Sequence, residues 1–245
     1  MKLKEEFKKD FAGMRQTDKN LNIVIVFTTI VLFLYCYMAS FSAYYKFFDG
    51  SADIDFWAYI YHNATPIILF FVFGILLIKF VMKDKLRNYG LGLGKYKTGL
   101  IICAAATPIL IGLGFLTAFS DFEMVLTYPL TKYVYFAPIG LVVLYYATYV
   151  CYYIGWEFLF RGLGFFSFER KLGVLTAILI TTALSVLIHT SIGGFGKPML
   201  ETAGAIAGGL LFGYAAYKTR SIWYSVYLHF VMGFALDMAI IILNG

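Results

Sequence analysis

YFAPIGLVVLYYATYVCYYIGWEFLFRGLGFFSF, residues 135–168, is an almost unbroken apolar run. An apolar helix needs about 20 residues to cross a hydrocarbon core about 30 Å thick, and this run exceeds that. Within it stand one carboxylate and one guanidinium, Glu157 and Arg161, one helical turn apart. On insertion scales each such charge at mid-membrane costs roughly 2.5–3.5 kcal/mol, so the two must be neutralised, hydrated or used. The four-residue spacing places them on one helix face.

The rest of the 245-residue chain agrees with this reading. Hydrophobic residues make up 61%, aromatics 20% and charged residues only 14%, too little polar surface for a globule in water. The fold class is therefore all-α, a polytopic bundle of transmembrane helices. Seven spans are expected, at 21–43, 64–82, 99–119, 134–168, 172–189, 199–217 and 221–243. The fourth is too long for one crossing, at about 50 Å, so its end after Arg161 is expected to project from the membrane or lie along the interface.

The formal charge of +6 invites a nucleic-acid ligand. The basic residues instead form short clusters between apolar runs, which encode membrane orientation, so no nucleic acid is expected and the lipid bilayer is the partner. With the N-terminus cytoplasmic, sixteen of the twenty Lys and Arg fall inside: the tail, the 79–97 connection, Arg170 with Lys171, and Lys218 with Arg220. Lys46, Lys132 and Lys197 fall outside, as do Asp49, Asp53, Asp55, Asp121 and Glu123. The positive-inside rule thus supports an odd number of spans. No compact apolar core or small-residue cleavage site follows the basic first twenty residues, so Leu21 onward is expected to be retained as the first span. The domain reading is a cytoplasmic tail at 1–20, scaffold spans at 21–133 and a core at 134–245. Cys36, Cys103 and Cys151 lie in apolar runs without paired spacing and read as small core residues.

The connector Asn88-Tyr-Gly-Leu-Gly-Leu-Gly-Lys95 has no strand before it, so it reads as a turn at the interface, not a phosphate cradle. Gly204, Gly208, Gly209 and Gly213 offer a small-residue stripe for close helix packing.

Six ionisable side chains remain inside the later spans: Glu157, Arg161, His189, Glu201, His229 and Asp237. Counting about 1.5 Å per residue from the cytoplasmic turns puts Glu157, His189, Glu201 and Asp237 at depths of about 20–27 Å. Arg161 and His229 fall at about 12–14 Å. Each has a bland alternative: an intrahelical ion pair for Glu157 with Arg161, hydrogen-bonded core imidazoles for His189 and His229, a first-turn acid for Glu201 beside Pro198, a water-facing end for Asp237. His62, beside Asn63 and ahead of the second span, reads as a surface residue. Four helices carrying unrelated costly groups at compatible depth is the less economical account, so one shared polar site is expected.

A Glu-x-x-x-Arg helix, a His closing the next span and a His early in the last span resemble the CPBP family of intramembrane endopeptidases, which includes CAAX prenyl proteases and bacterial Abi-type proteins. The resemblance covers about 134–243, and the stretch Gly213–Trp223 leading to His229 is similar to the family's approach to its last motif. It implies hydrolysis of membrane-associated or prenylated-type peptides in a bacterial plasma membrane. It also implies that His189 positions water, that His229 donates to the oxyanion, and that Arg161 orients and charge-balances Glu157. Three positions depart from the family pattern. Trp156 stands where the first of two adjacent glutamates is usual, Ser185 where an aromatic precedes the second-motif His, and Gly233 where an Asn follows the last His. Two acids are candidates to compensate: Glu201 as the base, and Asp237 to orient an imidazole or accept a proton.

Other functions remain open on sequence. Loss of the first Glu and of the Asn fits an inactive relative that binds a transmembrane peptide as an adaptor or immunity factor. His, Glu and Asp are acceptable zinc ligands, but there is no His-Glu-x-x-His helix, and no cofactor is expected. A transporter would call for a repeat or a pair of broken helices, which the sequence does not display.

Overall fold

The computed structural model describes Glu5 and residues 19–48, 54–190 and 196–244. Helices account for nearly all of them, and among the described residues there is no strand. The long rods are α1 (Lys19–Met38), α3 (Asp55–Met82), α4 (Tyr96–Ser120), α6 (Ile139–Leu172), α8 (Met199–Thr219) and α9 (Trp223–Asn244). All six are long and apolar enough to cross a bilayer. A shorter apolar rod, α7 (Val174–His189), stands where the fifth span was expected. Two short helices, α2 (Phe41–Phe47) and α5 (Phe122–Thr127), are capped by Ser40 and Asp121, whose side chains accept from the amides of Ala43 and Met124.

The polarity expected from charge counting appears as a cluster of contacts. Arg170 bonds Asp84 at 3.4 Å and the Asn88 carbonyl at 2.8 Å, and Arg220 bonds Glu169 at 2.6 Å. The three connections assigned to one side therefore do meet at one end of the bundle. The Gly-punctuated connector is a turn within this cluster, with the Gly90 carbonyl accepting from the Ile222 amide.

One span boundary is corrected and the end of α6 gains its setting. The second span does not begin at residue 64 but at Asp55, because the polar turn around His62 and Asn63 is helical and faces protein. The end of α6 does not stand free of the bundle. Every residue from Gly155 to Phe168 is buried, and Phe158–Phe168 packs among side chains of α1, α3 and α7 in the largest core cluster. This segment opens into a wider, five-residue turn over Phe158–Gly164, and α3 does the same over Ile67–Val72, immediately after Pro66 has removed a backbone donor.

The junction of α3 with α6 fixes the geometry of everything that follows. A Cβ at Gly155 would stand 2.4 Å from the Pro66 carbonyl, so the two backbones touch there as only glycine permits. One turn before Pro66 come His62 and Asn63, and immediately after Gly155 come Trp156 and Glu157. On the opposite side of α6, α7 and α8 approach each other where Gly209 and Gly213 meet Thr182 and Ile178, while Gly204 faces open space.

Candidate active site

A cavity of about 50 Å³ opens beside this junction, several times the ~10–15 Å³ that one ordered water requires. His189, Glu201 and His229 all line it, brought from α7, α8 and α9. Tyrosines from α6 form much of the wall, with Lys197 next to Glu201.

Hydrogen bonds fix which ring nitrogen each histidine offers. The His189 Nδ1 lies 2.8 Å from the Ser185 carbonyl, an acceptor, so Nδ1 carries the proton and Nε2 is the free nitrogen. The His229 Nδ1 lies 2.7 Å from Glu157 Oε1, so again Nδ1–H donates and Nε2 is left for other partners. The His229 ring is clamped between Tyr153 and Phe212, at centroid distances of 4.2 and 4.9 Å.

Glu157 and Arg161 stand behind this surface, not on it. Arg161 donates to the same Glu157 Oε1 at 3.3 Å, with both residues almost wholly buried, and the guanidinium lies over the Phe160 and Phe212 rings. Neither residue is among the cavity-lining side chains. The arrangement is a chain in which Arg161 holds Glu157, and Glu157 holds His229. Counting depth along straight rods had put Glu157 and His229 in different layers. In the structure the two side chains nonetheless meet at 2.7 Å, with Glu157 standing at the start of the wide turn.

Glu201 Oε1 lies 3.3 Å from Lys197 Nζ, and Oε2 has no hydrogen-bond partner. Lys197 also donates to the Tyr128 hydroxyl at 2.7 Å, and its amide donates to the His189 carbonyl, which ties the start of α8 to the end of α7. Asp237 is fully buried but outside the cavity lining, accepting from Tyr146 at 3.4 Å with Oδ1 unpartnered. Among the described residues, no group of three or more His, Cys, Asp and Glu side chains is arranged to hold a metal ion.

Residues 137–235 match the family model described as type II CAAX prenyl endopeptidase Rce1-like. That segment of the chain is Rce1-like. It contains Glu157, Arg161, His189, Glu201 and His229 and ends just before Asp237. No curated protein and no solved structure matches the chain.

Set on this structure, the three departures from the CAAX-endopeptidase pattern are contacts. Trp156 Nε1 donates to Ser185 Oγ at 3.3 Å, and the indole meets the His189 ring edge-on at 5.6 Å. Here the aromatic beside His189 comes from α6, next to the small Ser185 of α7. At Gly233 an added Cβ would lie 2.3 Å from the Tyr153 hydroxyl and 2.6 Å from that of Tyr149, so two phenols occupy the space an Asn would need.

Sequence reasoning missed one wall of this cavity. Tyr35, His62 and Asn63 line it from α1 and α3, helices expected to be scaffold. His62 is not a surface residue: it is 6% exposed, donates from Nδ1 to the Ala39 carbonyl at 2.9 Å and stacks on Tyr152 at 5.7 Å. The available signal was Pro66 with Gly155, a kink-former and a small residue that together mark a close helix crossing.

Proposed function

We propose that this chain is an intramembrane endopeptidase that hydrolyses membrane-associated or prenylated-type peptides, with Glu201 as the base and His189 orienting the attacking water. The observation that carries it is that Glu201, His189 and His229 line one cavity with room for water inside an Rce1-like segment. In the step envisaged, a proton passes from water to Glu201 while its oxygen attacks the peptide carbonyl carbon. The His189 Nε2 lone pair accepts the water's other hydrogen. Negative charge grows on the carbonyl oxygen within reach of His229, which donates from Nε2 when its ring carries both protons. The Glu157 carboxylate at 2.7 Å balances that imidazolium, and Arg161 holds Glu157 in place. Collapse breaks the C–N bond as Glu201 returns its proton to the leaving amine. No cofactor enters this scheme.

A second reading has one observation in its favour. The Lys197 ammonium, 3.3 Å from Glu201, already engages the base, as suits an inactive relative that only binds a transmembrane peptide. Purified protein with a quenched membrane peptide separates the two. The endopeptidase cleaves and loses its rate in Glu201→Gln and His189→Ala. If Glu157→Gln, Glu201→Gln and His189→Ala all leave a genuine cleavage rate unchanged, the assignment is wrong.

A further inference from the structure

We infer that Asn63 is the amide donor that hydrogen-bonds the reacting carbonyl of a peptide held in this cavity, from a helix outside the Rce1-like segment. The inference rests on the endopeptidase reading for its chemistry but on separate observations for its residue.

Asn63 is 0% exposed and lines the cavity, yet neither Oδ1 nor Nδ2 has a hydrogen-bond partner. A buried amide with both ends unpaired is costly, and buried polar groups almost always find partners. Its neighbours along α3 are firmly held, so the vacancy in its bonding is not a matter of loose packing. His62 is fastened by the Ala39 carbonyl and the Tyr35 hydroxyl. Three residues after Asn63, Pro66 is in backbone contact with Gly155. An amide presented on so rigid a mount is preorganised for a group that arrives with its own polar atoms.

Chemistry selects a peptide carbonyl as that group. The Asn63 NH₂ is neutral and donates at any working pH, and its oxygen can accept from the neighbouring peptide N–H. The alternative source of an amide, position 233 on α9, is closed by the Tyr149 and Tyr153 hydroxyls. His229 and Asn63 line the same cavity from α9 and α3, so a carbonyl oxygen that reaches both would gain two donors from different helices as its charge develops.

The test uses the full chain in proteoliposomes with two readouts. A hydrophobic peptide methyl ketone carrying ¹³C at its carbonyl is bound, and its infrared band is compared between wild type, Asn63→Ala and the near-isosteric, donor-free Asn63→Leu. The band should lie at lower frequency in wild type and return toward the free-ketone position in both variants. A ketone band identical in wild type and both variants overturns the inference, whatever the enzyme does. The second readout is cleavage of a quenched membrane peptide. Asn63→Ala should lower kcat by roughly 10²–10³ with KM nearly unchanged, the loss typical of one oxyanion donor. Its thermal midpoint should be at or above the wild-type value, since an unpaired buried amide has been removed. Glu201-dependent cleavage that is indifferent to Asn63 sinks the inference and spares the endopeptidase reading. A lost ketone shift without any cleavage by wild type does the reverse.

Discussion

Glu157→Gln is the most telling perturbation of the buried chain. It preserves the shape of the side chain and removes only the charge that faces Arg161 at 3.3 Å and His229 at 2.7 Å. Arg161 is 1% exposed and its Nε already lacks a partner, so the substitution leaves a guanidinium buried without an anion. Removing one partner of a buried pair costs about 3–5 kcal/mol, and the Gln carbonyl, which still accepts a hydrogen bond, puts the expectation near the lower end. At 1.4 kcal/mol per decade this is roughly a hundredfold loss in the folding equilibrium. Replacing both members, Glu157→Met with Arg161→Met, removes the orphaned charge as well and should cost far less than the two single changes added together. The expected coupling is at least about 2 kcal/mol, within the range seen for residues sharing one network. Unfolding of the purified protein in mixed micelles, titrated with denaturing detergent, supplies all four corners of the cycle. Singles within about 0.5 kcal/mol of wild type that simply add would refute the picture of a charge network.

Three further outcomes follow from the same geometry. Ser185→Ala leaves the buried Trp156 Nε1 without its acceptor and should lower stability by about 1–3 kcal/mol in the same titration, whereas an unchanged midpoint would deny the indole–hydroxyl bond. Gly233→Ala drives a Cβ against the Tyr153 and Tyr149 hydroxyls and should cost about 1–3 kcal/mol, with part of the loss recovered in a Tyr153→Phe background. Outside the spans, burial opposes ionisation of Asp84, but the Lys85 amide, Tyr89, Asn88 and Arg170 together outweigh it and hold the carboxyl below its ordinary value. The folded state therefore binds this proton less readily than the unfolded chain. Its stabilisation is complete above the unfolded carboxylate value of about 3.9 and is lost as pH falls through the lower folded value. Asp84→Asn should flatten the acid limb of a thermal-midpoint profile in that window, and an unaltered limb would contradict the assignment.

The fold was legible because hydropathy and charge act along the chain. Apolar runs near membrane length and the clustering of Lys and Arg need no knowledge of contacts, and the ion pairs of Arg170 and Arg220 bring together the connections that charge alone had assigned to one side. The six ionisable residues within the apolar spans were legible for the same reason, each being costly where it stands. Their pairing was not. Depth arithmetic on straight rods ignores the reach of side chains and the wide turn at Phe158–Gly164, and it set Glu157 a layer away from the His229 that it bonds behind the cavity wall. Neither could sequence reveal that Trp156 and Ser185 are bonded to each other, since each position read separately is only a departure from the pattern. His62 and Asn63 were hidden by their neighbours. A polar, aromatic stretch before an apolar run looks like a loop, and only the crossing at Pro66 and Gly155 turns it inward.

On the proposed mechanism Glu201, not the buried Glu157, is the base of this cavity. The direct measurement is kcat for Glu201→Gln against wild type on a quenched membrane peptide in proteoliposomes, with folding verified for both. A loss of roughly 10²–10⁴, the usual contribution of a general base, is the predicted result. A Glu201→Gln protein that cleaves as fast as wild type would contradict it.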